Sequence, residues 1–468
     1  MKAYQGISPN TNSVFPWLET LDKNSLSTSR GFVFQFPPFP TLPPVDEKAP
    51  FTLPETGLYF HIPFCAHKCS FCYYATTVTK NPKTMRDYLN ALVAEMKSPT
   101  ARNMAERHDV RTVYIGGGTP TALPPRQLFY LVKSIQTHFD CSRVEEFSVE
   151  ATPNSLTFDK AEILHSLGVS RLSIGVQSFS DEINRINDRA HTAKDSLNAV
   201  ATAREAGIDN INLDLICGLI GETNKTWHKT IDTLLSVAPE HVTTYLLSLR
   251  PQTAAFEKVK NNTLPAPPDE AKRIEFYLYA RQQLLKHGYV QTTPNCYAIE
   301  PRFEHIHQRN AWSSLPLIGF GISAYSFVDN RVTQSVSNIS LYKKRIAKGI
   351  SPLEIGRELN VREQMARYAI LRLKQLRIMR GDFQKRFGFD VMEVFGREID
   401  GLEKINLLKV EPAKISLTLE GIVYADDVCR SLYTPDIRAQ LARMEQGRGK
   451  TSFRGISKQR EFLKRSLV

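Results

Sequence analysis

The sequence predicts an α/β fold of six β/α units around a parallel sheet. Three observations lead to it: apolar, β-branched runs recur about every thirty residues from residue 57, helical stretches separate them, and little periodicity precedes them. The runs are LYFHIPF (58–64), TVYIGG (112–117), EFSVEA (146–151), RLSIGVQS (171–178), NINLDLICGL (210–219) and HVTTYLLSL (241–249). The stretches between them include MRDYLNALVAEMK, PPRQLFYLVKSIQTHF, KDSLNAVATAREAG and KTWHKTIDTLLSV, and Gly207 is a helix stop. Serial β/α units imply parallel pairing through right-handed crossovers. An open barrel and a doubly wound sheet both satisfy this pattern.

The flanks read differently. Residues 1–56 form an arm rich in proline and aromatics, with FQFPPFPTLPP excluding helix or central strand, and the aromatics suggest that it packs on the main domain. Residues 57–250 are the barrel or sheet domain, and 251–350 extend it with a helix (PPDEAKRIEFYLYARQQLLKHG) and a strand-and-turn segment (PLIGFGISAYSFVDNRV). Residues 352–430 read as helices followed by a small β-ribbon, a winged-helix-like module. Residues 431–468 form a basic tail that reads as partly disordered.

Composition bounds the function. The 468-residue chain, with 42% hydrophobic residues, can hold two or three domains. Its formal net charge of +12 favours anionic partners, either nucleic acid or a carboxylated or phosphorylated small molecule. The start, MKAYQGISPN, shows no apolar signal region, and no apolar run reaches membrane-spanning length. A reducing, cytoplasmic setting is therefore expected, in which clustered cysteines bind metal or catalyse.

Cys65, Cys69 and Cys72 are such a cluster, spaced C-x3-C-x2-C in HIPFCAHKCSFCYY. Three thiolates on a [4Fe–4S] cluster leave one iron without a protein ligand. Structural zinc is the rival, with His61 or His67 completing a Cys3His set, although zinc sites usually bring their ligands as separated pairs. Cys141, Cys217, Cys296 and Cys429 are scattered and read as packing residues. In barrels, chemistry gathers at the C-terminal ends of the strands. The cysteine loop, Gly116 to Pro120, Glu150, Gln177 with Ser178, and Asp214 fall near such ends, and their convergence points to one site.

These segments, with YIGGGTPT and LTLEGIVYADDV, resemble the radical S-adenosylmethionine (SAM) enzymes, in the oxygen-independent coproporphyrinogen III oxidase-like (HemN-like) branch, over residues 57 to 430. The resemblance implies a six-unit partial (β/α) barrel with an appended α+β region and the C-terminal winged-helix-like module. It implies a [4Fe–4S] cluster on Cys65, Cys69 and Cys72, and one or two molecules of SAM. Phe71 and Ile216 would contact adenine, and Gly116, Gly117, Gly118 and Thr119 would approach the methionine moiety. Glu150, Gln177, Arg189 and Asp214 match cofactor-holding positions, Ser248 is a further cofactor candidate, and Tyr59 would lie near the cluster. Arg189 suits a carboxylate because its planar fork can bond both oxygens. The implied chemistry is reductive cleavage to a 5′-deoxyadenosyl radical, with electrons from a flavodoxin- or ferredoxin-like donor.

Within the branch, methyl or methylene transfer to an sp2 carbon of a small molecule is the leading expectation. A second SAM would then lie near Gln177 and Ser178. The alternatives are porphyrinogen decarboxylation and a heme chaperone. The oxidase carries a fourth cysteine where this chain has Tyr73 and Tyr74, and HIHQRNAW (305–312) departs in spacing from the chaperone's histidine segment. His305 and His307 read first as hydrogen-bonding residues. Neither membrane nor nucleic-acid binding is expected.

Overall fold

The structure, a computed structural model, describes residues 26–28, 31–44, 55–99, 101 and 109–448. Its centre is a sheet holding β1 (Glu55–Ile62), β4 (Asp109–Gly117), β5 (Glu146–Ala151), β6 (Arg171–Gln177), β7 (Asn210–Cys217) and β8 (His241–Leu246). These six strands are parallel and lie side by side in chain order. A doubly wound sheet reverses its strand order at a switch point; this one does not, so the structure is the partial barrel. The barrel stays open because each edge is taken by other strands. β8 pairs antiparallel with β10 (Cys296–Ala298), which pairs with β9 (Val290–Gln291). On the other edge β1 pairs parallel with β11 (Leu317–Phe320), followed by β12 (Tyr325–Val328), β13 (Arg331–Ser335) and β14 (Leu353–Glu358).

Strand alternation sorts the side chains into two faces. Leu58, Phe60, Ile62, Val113, Ile115, Val149, Leu172 and Ile174 are buried in the main core with Leu92, Leu131, Ala199 and Trp227 of the helices. The opposite, inner face carries Tyr59, His61, Tyr114, Glu150, Ser173 and Asp214, so the barrel interior is polar. Sharp helix starts set the crossovers: Thr192 and Thr223 each form a capping box at the helices Ala193–Glu205 and Asn224–Val237.

A buried acid ties the helix Pro82–Met96 to the sheet's added edge. Glu95 accepts hydrogen bonds from Tyr342 Oη at 2.5 Å and Gly321 N at 2.9 Å. Burial pushes its carboxyl from 4.5 up to about 7. A raised folded pKa gives stability that is full below about 4.5 and lost as pH rises through about 7. At about 1.4 kcal/mol per pH unit this is on the order of 3 kcal/mol. Glu95→Gln is therefore expected to flatten the fall in stability across that window, as read by urea denaturation at pH 5 and pH 8.

The C-terminal module begins at the helix Val361–Leu373, because β14 belongs to the main sheet. It holds a three-stranded sheet of β15 (Arg377–Met379), β17 (Lys414–Leu417) and β16 (Leu408–Val410), packed with helices. The small β-ribbon read at the end of the module is the antiparallel pair β16–β17, and the chain beyond it is helical: Thr418 caps Leu419–Val423, and Ala425–Ser431 follows. The described part of the arm joins the module to the barrel, with Leu26, Val33 and Phe36 in the same core as Trp312, Ile370 and Val428. Of the basic tail, Pro435–Arg448 is helix, and the expected disorder beyond it falls outside the described residues. No described helix is long and apolar enough to cross a membrane.

Candidate cluster and cofactor site

The cysteine loop leaves β1 through Pro63 and closes on itself. β2 (Phe64–Cys65) pairs with β3 (Thr77–Val78), and Cys72 N donates to Cys69 O at 3.1 Å. Cys65 Sγ lies 3.6 Å from Thr119 Oγ1, and Arg189 Nη1 donates to Cys69 Sγ at 2.9 Å. All seven cysteines are free. Burial pushes the Cys65 thiol up to about 11 and the Cys72 thiol upward, so neither is an activated nucleophile. A metal centre would supply the charge that deprotonates them.

Among the described residues no three His, Cys, Asp or Glu side chains come close enough to hold one ion. His61 is also committed elsewhere. Its Nε2 donates to Ala75 O at 3.1 Å and its Nδ1 accepts from Tyr59 Oη at 3.0 Å. Burial lowers its pKa to about 4, so the ring is neutral, and His67 is exposed. Neither histidine is placed to complete a Cys3His zinc set, and three free thiols in one loop are a donor set that a [4Fe–4S] cluster takes.

The glycine run sits directly against this loop. Gly118 N donates to Ile62 O and Thr119 N to Phe64 O, both at 2.8 Å. Gly117 has φ +112°, and a Cβ there would come within 2.5 Å of the His61 ring. Gly117→Ala is thus expected to cost about 1–3 kcal/mol and to lower iron retention after reconstitution, measured by iron analysis. Gly117 N and Tyr114 Oη donate to the Glu150 carboxylate at 2.9 and 2.7 Å, and burial pushes Glu150 up to about 7. Tyr114 was not singled out from sequence; its inward register on β4 was the available signal. Asp214 accepts from Ser173 Oγ at 3.0 Å and Asn212 Nδ2 at 2.9 Å, and burial pushes its carboxyl upward.

Phe71 and Ile216 pack on one apolar group with Ile183, Leu219 and Leu247. Gln177 stands at φ 68°, at a register shift that ends β6, a backbone state uncommon for a residue with a Cβ. Arg189 also donates to Gly175 O and His191 Nδ1, yet its Nε is buried without a partner, as is Ser248 Oγ. Such orphaned donors at a rim are what a polar cofactor would satisfy. Ser178 does not join this group. It is 0% exposed and its hydroxyl meets Thr230 Oγ1 at 3.2 Å on the helix Asn224–Val237, so it faces the helical layer and not a second cofactor.

His305 and His307 lie at the opposite end of the barrel. They start the helix Ile306–Trp312, which plugs the N-terminal ends of the strands. Glu146, the first residue of β5, accepts from Ile306 N at 2.8 Å and His307 N at 3.2 Å. His307 Nδ1 lies 2.8 Å from Thr112 Oγ1, and burial holds both histidines below their usual pKa. His307 is a core hydrogen-bonding residue, whereas His305 Nε2 is buried without a hydrogen-bond partner, 3.5 Å from Glu146 Oε1.

Known proteins match this architecture. The Radical SAM superfamily pattern matches residues 59–234. The heme chaperone HemW of Bacillus subtilis (strain 168) is 34% identical over 345 residues, covering 74% of this chain and 88% of the relative. The oxygen-independent coproporphyrinogen III oxidase of Pseudomonas aeruginosa is 26% identical over 404 residues, 82% of this chain and 87% of the relative. The solved coproporphyrinogen III oxidase HemN from Escherichia coli superposes with a TM-score of 0.73 at 24% identity, covering 81% of this chain and 90% of that one, a likeness of fold. The chain belongs to the radical SAM superfamily and, within it, to the oxygen-independent coproporphyrinogen III oxidase-like branch. The cofactors of this family are a [4Fe–4S] cluster and SAM. The relatives just described are named for heme or porphyrinogen, so the expectation of methyl or methylene transfer gains no support.

Proposed function

We propose that this radical SAM protein handles a tetrapyrrole and that heme is its ligand. The observation that carries this is the 34% identity to a heme chaperone across 88% of that relative's length. Tyr73 and Tyr74 stand where the oxidase's additional cysteine would fall, which favours heme over porphyrinogen. Porphyrinogen decarboxylation is the second reading, favoured by the likeness to the Pseudomonas aeruginosa oxidase.

Cys65, Cys69 and Cys72 would hold the cluster. Bound there and reduced, it would supply the one-electron chemistry of reductive SAM cleavage. The chain's own residues bind and orient. Arg189, already beside Cys69, would take the cofactor's carboxylate, and the half-buried pair Phe71 and Ile216 would flank the adenine. Glu150 and Asp214 would accept from the amino group or the ribose hydroxyls, and Ser248 would offer its unpartnered hydroxyl. Tyr59, held by His61, closes the inner side of the site. His305 and His307 would take no part in heme ligation, since the barrel base buries them.

The test is anaerobic, on reconstituted protein. Heme is titrated by absorbance, and coproporphyrinogen is supplied with SAM and reductant for mass analysis. Stoichiometric heme binding without altered porphyrinogen supports the proposal. Loss of carboxyl groups from the porphyrinogen would favour the oxidase reading. Neither binding nor turnover would remove tetrapyrroles from consideration.

A further inference from the structure

Arg250 is a charged side chain with no carboxylate partner among the described residues, at the edge of the cluster loop. It lies past the end of β8, in the turn before the helix Ala254–Lys260. That turn is tied to the cysteine loop, because Ala255 N donates to Ser70 O at 2.8 Å. The Arg250 guanidinium carbon stands 5.2 Å from the centroid of the Tyr73 ring. On its other side is the arm. Gly31 has φ +90°, and a Cβ there would fall 1.9 Å from Arg250 Nη2, so the arm's backbone fits the guanidinium only as glycine.

The charge is held in place but not neutralised. Arg250 Nε is buried without a hydrogen-bond partner, and no ion pair of Arg250 with Asp or Glu occurs among the described residues. A half-buried guanidinium left without an anion is costly, and its planar fork matches a carboxylate. Arg189 already serves the cluster side of the site, through Cys69 and Gly175. Arg250 is therefore a second, separate anion position.

The surroundings are flat and aromatic. Tyr73 and Tyr74 stack at 4.9 Å and are 38% and 57% exposed. Tyr245, 37% exposed at the end of β8, meets Phe32 of the arm edge-on at 6.4 Å. Exposed aromatic faces beside an unpaired guanidinium suit a flat, apolar ligand that carries carboxylate arms.

We propose that Arg250 binds a propionate carboxylate of the tetrapyrrole at the mouth of the barrel, with Tyr73 fixing the guanidinium plane. This rests on the tetrapyrrole reading above. The test compares heme with heme dimethyl ester, titrated anaerobically into reconstituted wild type, Arg250→Met and Arg250→Lys. A charge-assisted hydrogen bond of this kind corresponds to about tenfold or more in affinity. Wild type is expected to bind heme about tenfold more tightly than the ester. Arg250→Met is expected to bind both alike, at the ester's level, and Arg250→Lys to recover part of the preference. Equal binding of heme and ester by wild type overturns the role of Arg250 while leaving the tetrapyrrole reading intact. Retention of the full preference in Arg250→Met overturns it equally. Absence of binding of either compound by any of the three overturns both.

Discussion

Cys69→Ala is expected to abolish 5′-deoxyadenosine formation, and Cys65→Ala and Cys72→Ala to do the same. The three thiols sit in one self-closed loop at the end of β1, and no other cysteine of the chain shares it. A cluster held by two thiolates has two irons without protein ligands and loses its defined open position. Iron and sulfide contents after anaerobic reconstitution should fall well below the wild-type values. The fold should survive, because the three cysteine side chains lie outside the main core and the loop's backbone bonds do not involve the sulfurs. Thermal unfolding of the metal-free proteins checks this: the Cys→Ala variants should melt within a few degrees of metal-free wild type. A Cys69→Ala protein that keeps full iron and full cleavage would show that the loop does not hold the cluster.

Glu146→Ala is expected to destabilise the chain by about 2–5 kcal/mol without touching the cluster loop. Glu146 is 2% exposed and satisfies two backbone N–H groups at the start of the helix Ile306–Trp312, besides accepting from Ser148 Oγ at 2.9 Å. Each buried donor left without an acceptor costs about 1–3 kcal/mol. Glu146→Gln keeps an acceptor oxygen and should cost less. Denaturant unfolding of the three proteins gives the ordering, and equal midpoints for Glu146→Ala and wild type would contradict it.

The sequence made the parallel units and their chemical ends readable, for physical reasons. Alternation of apolar Phe147, Val149, Leu172, Ile174 and Val176 with polar Glu146, Ser148, Glu150, Arg171 and Ser173 marks the runs at 146–151 and 171–178, and these match β5 and β6 closely. Strand order was not readable, because pairing is non-local; the sequential order across β1, β4, β5, β6, β7 and β8 came from the structure. Side-chain direction misled at Ser178, where the left-handed Gln177 turns the chain and sends the next residue into the helical layer. The histidine segment followed its first reading at His307: the helix Ile306–Trp312 plugs the barrel base, where the His307 ring meets Thr112 and Glu146 accepts from His307 N. The His305 ring is buried there without a hydrogen-bond partner for Nε2. The ribbon of the C-terminal module ends at β17 because Thr418 supplies an N-cap and starts a helix. Arg250 gave no motif at all. Its interest lies in the juxtaposition of Gly31, Tyr73 and an absent carboxylate, which only the fold brings together.

One measurement is the most direct test: 5′-deoxyadenosine released by the anaerobically reconstituted, reduced protein given SAM, with and without heme. The expected result is 5′-deoxyadenosine that requires reductant and an intact Cys65, Cys69 and Cys72 set, in amounts that change when heme is bound. A fully loaded, fully reduced cluster that yields no 5′-deoxyadenosine under any of these conditions would contradict it.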